Sequence, residues 1–170
     1  MKKTKTITED ITFSENQRFR QLWLRAIIML PILVPIFVII YRLVNNRPIP
    51  DLFVLVFAIA LGIIFLFLFS FLELRTRVTQ SAIYVMFFPF HTKWLRFPIE
   101  EVASFSNVKY NPITEYGGWG IRFGVNGKAY NVSGILGIRL VFKNDKKLLI
   151  GSRVPDQFAA AIQNAMEKKN

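Results

Sequence analysis

Gly117-Gly-Trp-Gly120 puts three glycines into four positions, and a glycine-rich turn can hold a phosphate on its backbone amides. Such a loop works by joining a strand to a helix N-terminus, often with a Lys-Ser/Thr pair. Here Ile121-Arg-Phe-Gly124 reads as a strand and no G-K-[ST] follows. The glycines therefore read as architecture: positive-φ or bulge positions beside a packed Trp119. Glu100-Glu101 is an adjacent carboxylate pair, and a strand would send the two side chains to opposite faces, which removes an acid/base dyad. His91, in the turn Phe90-His-Thr-Lys93, has no carboxylate beside it in sequence and reads as a surface residue. It is the only histidine, and there is no cysteine. Thiolate metal sites, disulfides, thiol catalysis and any arrangement needing two imidazoles are excluded. The expectation is no catalytic residue, no metal site and no cofactor.

The elements that must position these residues divide the chain in two. Of 170 residues 52% are apolar, a high share for a chain of about one domain. Two runs carry the excess. Residues 22–41 hold one charge, Arg25, near the start, where a long side chain can snorkel, with Trp23 and Tyr41 at interfacial positions and Pro31 and Pro35 inside. Residues 52–72 hold none. Each matches the ~20 residues that cross a bilayer. A cleaved signal is disfavoured for the first run, because acidic residues precede it and no small-residue site follows. Between them Arg42–Asp51 is rich in turn formers, so the spans form a hairpin. Six basic residues precede Ala26 and Arg75 and Arg77 follow the second span, against Arg42 and Arg47 in the loop. The positive-inside rule puts both termini in the cytoplasm. Ser14-Glu-Asn-Gln17 fits a capping box, predicting a helix that runs into the first span. Ala58 and Gly62 form a small-xxx-small pair, which leaves self-association open.

Residues 73–170 read as a separate, antiparallel β domain, against 1–72 for the N-terminal segment and hairpin. Short alternating runs predict strands at 75–79, 82–88, 94–98, 102–110, 120–124, 128–133, 138–143 and 146–152. Asn126-Gly127 signals a two-residue type I′ hairpin and Asn144-Asp145 a weaker one. Ile138, Leu140 and Phe142 share one strand face, with Arg139 and Lys143 on the other. Residues 155–169 predict a closing helix, with Pro155 in its first turn, Asp156 at its positive end, Lys168 and Lys169 at its negative end, and Phe158, Ala161, Ile162, Ala165 and Met166 in one stripe. The expected fold is α+β: a two-helix membrane hairpin, then a barrel-like antiparallel domain whose open end the helix plugs. Seven of the eleven net positive charges lie in 73–170, where fourteen basic side chains meet seven acidic ones, suited to an anionic inner leaflet. They are scattered singly rather than interleaved with aromatics, so nucleic acid is not an expected partner.

Tyr110-Asn-Pro-Ile-Thr-Glu-Tyr-Gly-Gly-Trp-Gly-Ile-Arg122, with Ala129–Gly134, Leu148–Ser152 and Pro155–Ile162, resembles the bacterial pleckstrin-homology-like membrane proteins, over nearly the whole chain after residue 14. The resemblance implies the hairpin and a pleckstrin-homology-like barrel, and brings no catalytic residues with it. Gly134-Ile-Leu-Gly137 departs from polar turn chemistry, marking Ile135 and Leu136 as a candidate contact spot. Eukaryotic relatives that hold phosphoinositides use basic residues about their first strand–strand loop. Here that loop, Thr79-Gln-Ser81 after Arg75 and Arg77, is a poor cradle. The expected function is a non-catalytic, membrane-anchored interaction module, with membrane lipids around its spans and an unidentified protein as partner. A transport or pore subunit ranks lower, since the spans carry no internal charge, and a membrane-bound enzyme is opposed by the missing motifs.

Overall fold

The computed structural model describes residues 2–4, 7, 9–19 and 21–168. Lys5, Arg20 and Lys169, which enter the charge and helix readings above, lie outside them. In chain order come β1 (Lys2–Thr4), β2 (Ile11–Arg18), α1 (Leu22–Val44), α2 (Leu52–Phe71), β3 (Glu73–Thr79), β4 (Ala82–Phe88), β5 (Trp94–Pro98), β6 (Val102–Lys109), α3 (Pro112–Tyr116), β7 (Gly120–Gly124), β8 (Gly127–Asn131), β9 (Leu136–Phe142), β10 (Lys147–Gly151) and α4 (Pro155–Glu167). The fold is α+β: two apolar helices, β-sheets and a C-terminal helix. By its contacts the chain forms two compact units, Phe19–Phe71, and Met1–Arg18 with Leu72–Asn170.

In the helical unit, α1 and α2 are both long and apolar enough to cross a membrane. α1 continues through Pro31 and Pro35 to Val44, so the connection is shorter than the ten residues read from sequence. It ends in local caps: Asn45 Nδ2 donates to the Tyr41 carbonyl at 2.8 Å, and the Asp51 carboxylate accepts from the Phe53 amide at 2.9 Å. Gly62 is the buried residue of α2, and a Cβ there would stand 2.6 Å from Ile32 Cγ1 of α1. The small residue thus serves the approach of the two helices within one chain.

The β unit holds two five-stranded sheets, ordered β1-β5-β4-β3-β2 and β6-β9-β10-β8-β7, and they do not close into a barrel. Nor is the pairing wholly antiparallel: β8 and β10 run parallel, Lys128 opposite Leu148 and Tyr130 opposite Ile150. The long way round between them, through β9, makes that direction available, whereas hairpin reading of adjacent strands could not supply it. Strand β4 is apolar on both sides because both are covered. Ile83, Val85 and Phe87 are buried on one, while Ala82, Tyr84 and Met86 cluster with Trp94 on the other, and Ile7 packs on that cluster. Helix α4 buries Phe158, Ala161, Ile162 and Ala165 against β2, β3, β6 and β9, touching both sheets rather than plugging an opening. Phe158 stacks on Phe13 at 4.9 Å; burying each such side chain contributes about 1.5–3 kcal/mol.

Residues 14–17 are strand, not a capped helix. β2 pairs antiparallel with β3, Ser14 opposite Arg77 and Gln17 opposite Leu74. The serine and glutamine that look like reciprocal helix caps alternate across a sheet edge instead, and the long-range pairing outweighs the local signal. The division at 72/73 accordingly becomes one in which the β unit also owns the N-terminal strand.

Candidate interaction surface

The glycine cluster follows a short helix that the sequence reading passed over. Asn111 caps α3: its Oδ1 accepts from the amides of Ile113 and Thr114 at 3.0 and 3.2 Å, and Glu115 Oε1 accepts from the Asn111 amide at 2.8 Å. Asn, then Pro at the first helical position, then Glu is a start signal visible in sequence. At the other end Gly117, with φ +69°, donates to the Ile113 carbonyl at 2.9 Å, and Gly118, with φ +123°, donates to that of Pro112 at 2.8 Å. This is a Schellman closure. Gly120, with φ +119°, donates to Asn131 Oδ1 at 2.9 Å.

All three glycine amides are thus engaged by protein acceptors. The cluster also stands at a helix C-terminus, where the backbone dipole repels an anion. Trp119 is half-buried and its indole Nε1 donates to the Gly134 carbonyl at 3.3 Å. Glu115 is held from the far side, accepting from Asn126 Nδ2 at 3.2 Å and Arg139 at 3.3 Å. The arrangement is chemistry for fixing a backbone, not for binding phosphate.

What the closure builds is an apolar depression of ≈ 500 Å³ in which Ile113, Trp119 and Ile135 meet, with Lys109 and Asn111 at its margin. Ile113 is 64% exposed, Ile135 43% and Leu136 41%. Their backbone is fixed even so: the Ile135 carbonyl accepts from Tyr110 at 2.8 Å and that of Leu136 from Ser152 at 3.0 Å. Side chains project while the strand beneath them stays hydrogen-bonded. Leu136 opens β9 opposite Lys109, the last residue of β6, which is an edge strand. An exposed strand edge that ends in an apolar hollow can accept an added strand and seat a side chain from it. Ile113 was missed because its apolar neighbours in sequence point elsewhere; only the turn of α3 brings it beside Ile135.

Other sequence candidates move. Glu100 and Glu101 lie on a 3₁₀ turn, Ile99–Glu101, not on a strand, and both line a second cavity described below. His91 is half-buried rather than superficial, its ring 5.7 Å from that of Tyr130. The β7–β8 hairpin forms, with Val125 and Asn126 at the turn; Gly127, φ +90°, follows them, and Asn126 keeps a negative φ. That replaces the type I′ turn with one whose positive φ falls on glycine alone. Asp145, φ +61°, plays the same part between β9 and β10. Among the described residues no cluster of metal-ligating side chains is found. Compared with protein-family models, curated proteins and solved structures, the chain finds no match.

Proposed function

We propose that this chain is a non-catalytic, membrane-anchored binding module: α1 and α2 hold it among membrane lipids with both termini cytoplasmic, and a pleckstrin-homology-like β unit offers a protein partner a surface at the inner leaflet. Support for the membrane comes from the two apolar helices, and for orientation from the basic residues flanking them. Two sheets sharing a C-terminal helix support the fold reading. The observation that carries the function is the depression of Ile113, Trp119 and Ile135 beside Leu136 at the end of an edge strand. Contiguous exposed apolar residues on a fixed backbone mark a contact surface.

The test is the double variant Ile135→Ser, Leu136→Ser in the full chain. It keeps its thermal transition and its membrane insertion, because neither side chain is core, yet loses the partner crosslinked to the unaltered protein in native membranes. Partner capture unchanged in the folded variant sinks the assignment. So does unfolding, which makes the two residues core, and so does turnover of a hydrolase or transferase substrate by the purified protein.

A further inference from the structure

Strand β9 runs from the apolar depression to a second, chemically different cavity of ≈ 440 Å³ near its other end. Phe97 and Phe142, ring centroids 5.8 Å apart, form its apolar side with Leu148. Arg96, Lys128, Lys146 and Lys147 bring four cations to the same walls, against the carboxylates of Glu100 and Glu101.

Lys128 is the telling residue. It stands two positions before Tyr130 on β8, so the two share a face, and Tyr130 is fully buried. Its ammonium lies 4.7 Å from the centroid of the Tyr130 ring and 5.2 Å from that of Phe123. Among the described residues no carboxylate pairs with it, and burial pushes its amine below the ordinary value. A lysine turned toward the core side of a sheet is normally paired. Held only by two ring faces, it gains more from an arriving anion than a solvated lysine does, since the surrounding dielectric is lower.

We propose that this cavity is a binding site for a soluble organic anion in which a phosphate or carboxylate is joined to a flat apolar ring, the anion meeting Lys128 with the exposed Lys147 at the rim, and the ring lying on Phe97 and Phe142. Its volume falls in the range of small-molecule sites. A glycerophospholipid headgroup fits less well, being polar up to its phosphate where this cavity offers aromatic carbon.

The experiment titrates 1-naphthyl phosphate calorimetrically into the full chain held in nanodiscs of neutral phosphatidylcholine, with empty nanodiscs subtracted. Saturable binding is expected, weakened about tenfold or more by Lys128→Met and by Lys147→Met, left unchanged by Lys168→Met, and weakened by added salt. Inorganic phosphate and 1-naphthalenemethanol each supply half of the ligand and should bind more weakly than the joined molecule. Thermal unfolding checks that each variant is folded, and Lys147, exposed at the start of β10, serves where Lys128 proves structural. Absence of saturable binding overturns the site, as does binding that both folded Met variants retain. Nanodiscs containing an anionic phospholipid distinguish the source: equal affinity in them supports a soluble ligand, whereas suppression there assigns the cavity to a headgroup and overturns the soluble assignment.

Discussion

The side-chain amide of Gln17 donates a 2.7 Å hydrogen bond to the backbone carbonyl of Gly151, 134 positions away, and Gln17 is fully buried. Two residues earlier on the same face of β2, Glu15 accepts from Ser152 Oγ at 2.7 Å and from the Arg153 amide at 2.9 Å. These two side chains tie the N-terminal strand of one sheet to the end of β10 in the other. Replacing Gln17 with Ala leaves the Gly151 carbonyl unsatisfied in a buried place and opens a void, at about 1–3 kcal/mol or more. Thermal or denaturant unfolding of the full chain in detergent should show that loss. Deleting residues 1–18 should cost far more and expose β3 as a new sheet edge. A deletion variant that unfolds at the same midpoint would show that β2 is dispensable.

The positive φ angles of Gly118 and Gly120, +123° and +119°, lie where a Cβ is strained whatever room it has. Gly118→Ala and Gly120→Ala should each lower stability by about 1 kcal/mol or more. Gly117, with φ +69° and nothing within 4 Å of a Cβ, sits in the left-handed region that Asn tolerates, so Gly117→Asn should cost less than either. Saturable ATP or GTP binding, abolished by these substitutions without unfolding, would restore the phosphate-loop reading that the three engaged amides argue against.

Where periodicity was unambiguous, sequence was enough. β4, β5 and β7 begin and end at the residues that alternation and turn signals mark, and the apolar stripe of α4 is buried at Phe158, Ala161, Ile162 and Ala165. What failed was long-range. Ser14 and Gln17 satisfy a local helix rule, and only the pairing with Arg77 and Leu74, beyond two intervening helices, shows them as strand. The parallel contact of β8 with β10 is likewise invisible to rules about neighbours. For the candidate surfaces the same limit applies: Ile135 stood out as an apolar residue in a turn, but its companions Ile113 and Trp119 arrive through the fold of α3. Lys128 carries no sequence signal at all, because what distinguishes it is the burial of Tyr130 beside it.

Tyr130 gives the β unit an alkaline limit. Burial pushes its phenol from 10.0 up to about 12, and its hydroxyl has no hydrogen-bond partner among the described residues. The fold therefore favours the neutral phenol: the contribution is fully present below pH 10, and is lost as pH rises through the window from 10 toward 12. The loss runs at most at about 1.4 kcal/mol per pH unit for one proton. Burial lowers the Lys128 amine below its ordinary value, so its charge changes with pH as well and the comparison must be between variants at matched pH. Tyr130→Phe should be nearly neutral at pH 7, because the hydroxyl makes no bond there, and should flatten the stability profile between pH 10 and 12. An unchanged slope in that variant would assign the alkaline loss to other groups, Tyr110 first, whose burial raises it to about 12 as well.

The orientation proposed for the helices can be read chemically because the chain has no cysteine of its own. In sequence Arg25 stands at the start of α1 and Arg75 and Arg77 follow α2, while Arg47 and Asp51 lie in the connection. The positive-inside rule weighs lysines and arginines near span ends and ignores acidic residues, so the proposed orientation rests on the six basic residues before Ala26 and the pair after Phe71. Single cysteines answer the question. Lys3→Cys and Lys168→Cys should resist an impermeant maleimide in intact cells and react once the membrane is permeabilised. Asn46→Cys, exposed in the turn after α1, should react in both. Labelling of either terminal cysteine in intact cells reverses the orientation and removes the inner leaflet from the proposed function. Protection of all three until permeabilisation removes the hairpin itself, since neither helix would then cross.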